Sequence, residues 1–152
     1  MKSAFATLIR QLNQRGWSWA TSTNYSYLDE NEQIWVSRSG VNKADFTEQD
    51  FMSIDHFGVG TGMYHGVKPS DETQIHLWIY NNFPEARVIL HSHSKFPVLI
   101  SQRNDKNFNV QGYELQKGFL GTKSHLDAIS IPIIENSQDM GVLCQDLNER
   151  RL

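Results

Sequence analysis

Residues 70–94 read SDETQIHLWIYNNFPEARVILHSHS, and the change of period inside this stretch decides the fold. Ser70 can cap a helix, Asp71 and Glu72 place negative charge where the helix dipole favours it, and Ile75, Trp78 and Ile79 recur at helical spacing. The helix must end before Pro84, because the residue ahead of a proline is pushed out of the helical region. Ala86 to Leu90 is then a short run, apolar apart from Arg87, that reads as a buried central strand. It delivers His91, Ser92, His93 and Ser94 at its C-terminal end. A helix feeding a strand is the building unit of a layered α/β protein.

Upstream, Phe5, Leu8, Ile9 and Leu12 predict an amphipathic helix from Ser3 to Arg15, capped by Ser3 and stopped at Gly16. From Trp17 to Asp55 the period shortens. The runs Tyr25–Leu28, Ile34–Ser37 and Phe51–Ile54 are aromatic or β-branched, lie between polar turns and predict three strands. With three strands so close together, the sheet is expected to be mixed, not purely parallel. Residues 56–65 carry Gly58, Gly60 and Gly62 and read as a loop or mobile hairpin. Downstream, a short helix starting near Pro97, a strand at Phe108–Val110, a helix at Gly112–Phe119, an apolar strand at Ile129–Ile134 and a helix from about Gln138 complete the expectation. No internal repeat or interdomain linker interrupts the chain, so 152 residues are read as a single domain.

Composition narrows the function. With 14 Lys and Arg against 17 Asp and Glu and no basic run, nothing points to nucleic acid or an anionic membrane as partner. No stretch approaches the roughly twenty apolar residues of a membrane span, and the N-terminus lacks a signal-peptide core. Cys144 is the only cysteine, which excludes an intrachain disulfide and suits a reducing cytoplasm. Two readings stand for it: a small apolar filler, or a nucleophile.

The sharpest chemical feature is His91-x-His93. Side chains at i and i+2 of a strand share a face, so two imidazoles can turn into one polar cleft and share a divalent cation, with zinc the usual choice for nitrogen ligands. The alternative is a pair of hydrogen-bonded structural histidines. A catalytic zinc needs three protein ligands and an open position, so a third ligand must come from elsewhere. Glu114 is either the surface ion-pair partner of Lys117 at i+3 or a general acid and base beside a metal pocket. Glu72 is either a helix N-terminal anion or a competing catalytic carboxylate. The turns Ser22-Thr23-Asn24 and Ser39-Gly40, with Lys43, are rich in hydroxyl and amide groups; they are ordinary turns or a cradle for phosphate.

Taken together, Ala20-Thr21-Ser22-Thr23-Asn24-Tyr25-Ser26, Ser39-Gly40 with Lys43, Lys68-Pro69-Ser70-Asp71-Glu72-Thr73 with His76, and Pro84-Glu85-Ala86 leading into His91–Ser94 resemble the class II aldolase and adducin family, from the first helix to about Met140. Within it, Gly112–Phe119 and Ile131–Asn136 resemble the methylthioribulose-1-phosphate dehydratase branch more than the sugar-phosphate aldolases. The resemblance implies a three-layer αβα sandwich around a mixed, largely antiparallel sheet. It makes His91 and His93 zinc ligands, Glu114 the catalytic acid and base, Glu72 a second catalytic candidate, and Ser22, Thr23, Asn24, Ser39, Gly40 and Lys43 phosphate contacts. It further implies a cytoplasmic homotetramer acting on a small sugar phosphate in methionine salvage, with Trp35, Phe57, Tyr64 and Trp78 as candidate subunit contacts. A sugar-phosphate aldolase and a non-catalytic adducin-like module are the alternatives.

Two departures from the family pattern stand out. Thr23 occupies a position where the family usually has glycine. The chain also stops at Arg151-Leu152, before the Arg-x-His-Gly-like segment that supplies the family's third zinc histidine. A shortened form with weak zinc binding and an uncovered sheet edge is one expectation; completion of the site by His65 or His125 is the other.

Overall fold

In the computed structural model, which describes residues 1–19, 21–103 and 105–150, the chain forms two compact units. Ala20, of the first polar turn, and Arg151 and Leu152 lie outside the described residues. The first unit comprises residues 1–95 and 137–152, the second residues 96–136.

The first unit is built on a four-stranded sheet: β1 (Asn24–Leu28), β2 (Ile34–Ser37), β3 (Phe51–Ile54) and β4 (Val88–His91), in the order β3-β2-β1-β4. Every described pairing is antiparallel. Strand alternation sorts the side chains onto two faces. Tyr25, Tyr27 and Phe51 face helix α1 (Lys2–Gln14), which buries Phe5, Ala6, Ile9 and Leu12. Phe5 is the hub of this core: its ring stacks on Phe51 at 5.5 Å and meets Tyr27 edge-on at 5.6 Å. Such pairs add roughly 0.5–1.5 kcal/mol each beyond the area they bury. The opposite face carries Ile34, Val36, Met52 and Ile54, packed with Leu77 and Tyr80 of α2 (Thr73–Asn82). Helix α4 (Met140–Arg150) lies along α2, with the Trp78 indole N–H donating to Asn148 at 2.7 Å. This unit is therefore layered α, β, α, as the family resemblance implied.

Several boundaries move for identifiable reasons. Helix α1 starts at Lys2 with no side-chain cap, Leu8 sits at the margin of its buried face, and Gly16 ends the turn at φ 73°. Helix α2 starts at Thr73, not at a Ser70 cap, and Glu72 occupies the capping position. Strand β4 is the edge of the four-stranded sheet among the described residues, with Val88 and Leu90 half-exposed, where the sequence predicted a buried central strand. The glycine-rich loop folds back on β3 through a bridge between Ile54 and Gly60. There a side chain is impossible, since a β-carbon at Gly60 would fall 2.1 Å from the Tyr64 carbonyl oxygen.

Helix α3 (Lys95–Ser101), which belongs to the second unit from Phe96 onward, begins two residues before Pro97, which sits in the first turn where its missing N–H costs nothing. Strands β5 (Asn107–Val110) and β6 (Ile129–Pro132) pair antiparallel. The expected helix at 112–119 is only a 3₁₀ turn, Glu114–Gly118, because Gly112 at φ 87° and extended Tyr113 precede it. Buried Gln116 ties that turn to residues 124–127 through bonds to the Ser124 and Asp127 carbonyls.

Candidate metal centre

The register of β1 against β4 sets the site. Asn24 lies opposite His91, so both side chains emerge on the α2 face at one end of the sheet. His91 is the last residue of β4, and the chain just beyond it is held by the His93 amide N–H, which donates to the Trp17 carbonyl at 3.0 Å. The His91 and His93 Nε2 atoms face each other at 3.1 Å, with ring centroids 4.8 Å apart. Glu72, at the start of α2, brings Oε2 to 3.4 Å from His91 Nδ1. One ligand atom from each of Glu72, His91 and His93 lies within 4.8 Å of the others.

These residues suit a divalent cation. Burial holds the His91 imidazole below its ordinary pKa, against the pull of the Glu72 carboxylate. A neutral imidazole offers a lone pair, and His91 Nδ1 is buried with no hydrogen-bond partner. Four ligands about 2.0–2.1 Å from zinc stand roughly 3.3 Å apart in a tetrahedron, close to the spacing of the two ring nitrogens. Glu72 either completes the donor set or accepts from the Nδ1 side of His91, the arrangement that commonly orients a ligating imidazole.

The structure gathers some of the predicted residues and leaves others apart. Ser22 turns back on Trp19, its hydroxyl donating to that carbonyl at 2.7 Å. Thr23 is buried and its Oγ1 has no partner. Pairing of Ser26 with Val36 carries Ser39 and Gly40, both exposed, to the same end of the sheet as Asn24 and His91. Lys43 is fully buried and its ammonium group donates to the Val41 carbonyl at 2.8 Å, so it faces its own turn. Glu114 lies in the second unit, exposed, paired with Lys117 at 2.6 Å and His125 at 3.2 Å. His65 is exposed and outside the Glu72–His91–His93 group. Of the four aromatic candidates for subunit contact, Phe57 alone is exposed; Trp35 and Tyr64 pack against the core, and Trp78 pairs with Phe83. Burial raises the pKa of the Cys144 thiol, which favours the filler reading.

Two features escaped the sequence reading. One is the contact of the Asn24 amide with the Glu72 carboxylate; the other is the burial of His76 against Asn24 and Ser26. A signal for both was present: Glu72, His76 and Tyr80 recur every four residues, a polar stripe along one line of the helix, with His76 flanked by Ile75 and Leu77.

Residues 3–150 match the family described as Class II Aldolase and Adducin N-terminal domain, and the chain belongs to that family. Among its relatives, a methylthioribulose-1-phosphate dehydratase from Picosynechococcus sp. (strain ATCC 27264 / PCC 7002 / PR-6) is 45% identical over 152 residues, covering 99% of this chain and 72% of the relative. A protein of the same name from Stenotrophomonas maltophilia (strain R551-3) is 36% identical over 143 residues, 93% of this chain and 66% of the relative. The chain thus spans about two-thirds to three-quarters of the length of these two relatives. Among solved structures, YgbL from Escherichia coli, a putative aldolase/epimerase/decarboxylase, superposes with a TM-score of 0.77 at 19% identity, over 95% of this chain and 66% of that one. L-fuculose-1-phosphate aldolase from Thermus thermophilus gives 0.67 at 21% identity, over 96% and 69%. At such identities these two establish the fold.

Proposed function

We propose that the chain dehydrates 5-methylthioribulose 1-phosphate, as a zinc-dependent hydro-lyase. The observation that carries this reading is the convergence of Glu72, His91 and His93 in a chain whose relatives bear that enzyme's name. His91 and His93 would hold the metal, and Glu72 would supply the third donor from inside this chain. What zinc contributes when bound is Lewis acidity at the substrate's ketone oxygen, which weakens the neighbouring C–H bond. Glu114 removes that proton and delivers it to the departing hydroxyl, which leaves as water; the enol product rearranges to the diketone phosphate. Ser22, Thr23, Ser39 and Gly40 fix the phosphate at the same end of the sheet, so binding energy far from the reacting carbons is used for orientation. The same reading makes the chain a cytoplasmic homotetramer in methionine salvage, its family's sugar-phosphate chemistry turned to loss of water.

A third donor at Glu72 also weakens the case for a non-catalytic module. The test is metal analysis of the purified protein together with turnover of methylthioribulose 1-phosphate, fuculose 1-phosphate and ribulose phosphates. Stoichiometric zinc with water loss from the first substrate is the expected result. Cleavage of the other two makes it an aldolase; a metal-free, inactive chain overturns the proposal.

A further inference from the structure

Glu72, His76 and Tyr80 line one face of α2 and lie over alternate residues of β1. The steps match: four helical residues rise about 6.0 Å, and two strand residues about 6.8 Å. Tyr80 Oη thereby reaches Ser26 Oγ at 2.8 Å, Ser26 Oγ reaches His76 Nδ1 at 2.6 Å, His76 Nε2 meets Asn24 Oδ1, and Asn24 Nδ2 meets Glu72 Oε2. The carboxylate fixes the direction of the whole chain. The Glu72 carboxylate oxygen accepts from the Asn24 NH₂ group, which turns the Asn24 carbonyl oxygen toward His76. That oxygen only accepts as well, so His76 must carry its proton on Nε2. Nδ1 then accepts from the Ser26 hydroxyl, and Ser26 in turn accepts from Tyr80. Burial supports the assignment at two points. It holds His76 at a pKa of about 3, hence uncharged, and pushes the Tyr80 phenol up to about 12, hence a donor.

We propose that His76 is a positioning residue, held as the Nε2-protonated tautomer, which orients Asn24 and through it fixes the Glu72 carboxylate on the metal-ligating group. The role rests on the reading of Glu72, His91 and His93 as a metal centre; the tautomer does not. His76 touches neither metal nor substrate, so its influence is on how well Glu72 is preorganised.

The experiment uses the full chain. In ¹⁵N-imidazole-labelled, metal-free protein, NMR at neutral pH is expected to show His76 with Nε2 protonated and Nδ1 bare. Zinc alone is then titrated into wild type, His76→Gln, His76→Asn and Ser26→Ala. A glutamine amide nitrogen can take the place of Nε2 and still donate to Asn24, whereas the asparagine amide falls near Nδ1. His76→Gln and Ser26→Ala are therefore expected to hold zinc within about threefold of wild type, and His76→Asn to lose about 10- to 100-fold, the usual effect of losing an outer-shell partner. An Nδ1-protonated ring, or equal weakening by Gln and Asn, overturns the proposal while leaving the metal centre intact. The ring measurement needs no variant, so it decides the tautomer even where His76→Asn fails to fold. A wild-type chain that binds no zinc overturns the centre itself, and the positioning role with it.

Discussion

Burial of His76 should tie the stability of the first unit to pH, and the size of the effect can be worked out. The folded ring titrates at about 3, against 6.5 in an exposed chain, because burial disfavours its charged form and the neighbouring His91 adds to the effect. The folded-state pKa is depressed, so the unfolded chain takes up a proton as pH falls through 6.5 while the folded chain refuses it until near 3. Stability is therefore lost over that window as the solution is acidified. Between pH 7 and pH 5 the loss is about 2 kcal/mol. His76→Gln removes the titrating group, so the advantage of wild type over the variant should shrink by about 2 kcal/mol across those two pH units. Urea unfolding followed by tryptophan fluorescence, with chelator present, measures it. All four tryptophans, at 17, 19, 35 and 78, belong to the unit that contains His76, so the probe reports on the right part of the molecule. Parallel pH profiles for the two proteins would refute the argument.

Replacing His91 or His93 by alanine should lower zinc affinity by at least about tenfold, read by equilibrium dialysis against the wild-type chain. Glu114→Gln is expected to abolish water loss from methylthioribulose 1-phosphate with zinc content unchanged, since it removes a proton carrier and no ligand; undiminished turnover returns Glu114 to its ion pair with Lys117. Phe5→Ala should cost about 3–5 kcal/mol in urea unfolding, because it empties the ring that joins α1 to β1 and β3.

Much of the layering was legible in the sequence because period is a local property. Strands β1, β2 and β3 lie within a residue of the aromatic and β-branched runs that predicted them. Elements misjudged in type or start were governed by special backbone: Gly112 held the 112–119 segment to a 3₁₀ turn, and Pro97 sat inside a first turn instead of opening it. The His91-x-His93 pair could be read from spacing alone. The place of Glu72 beside that pair could not, because it depends on the register that sets Asn24 against His91 and on the point where α2 begins. Solvation also misled at Lys43: a lysine in a polar turn reads as exposed, yet this one is sealed behind its own backbone.

The pairing of Asn24 with His91 also gives the site a place in time. A slip of one residue between β1 and β4 would send His91 to the α1 face and put Leu90 or Ser92 where the imidazole belongs. Residues 24 and 91 come from distant parts of the chain, and closing so large a loop is a slow event in folding. During synthesis the ribosome must release residue 93 before the two histidines can meet at all. Metal capture in a refolding experiment should therefore lag behind the docking of α1 on the β1–β2–β3 meander, a clock on the closing of β4 against β1.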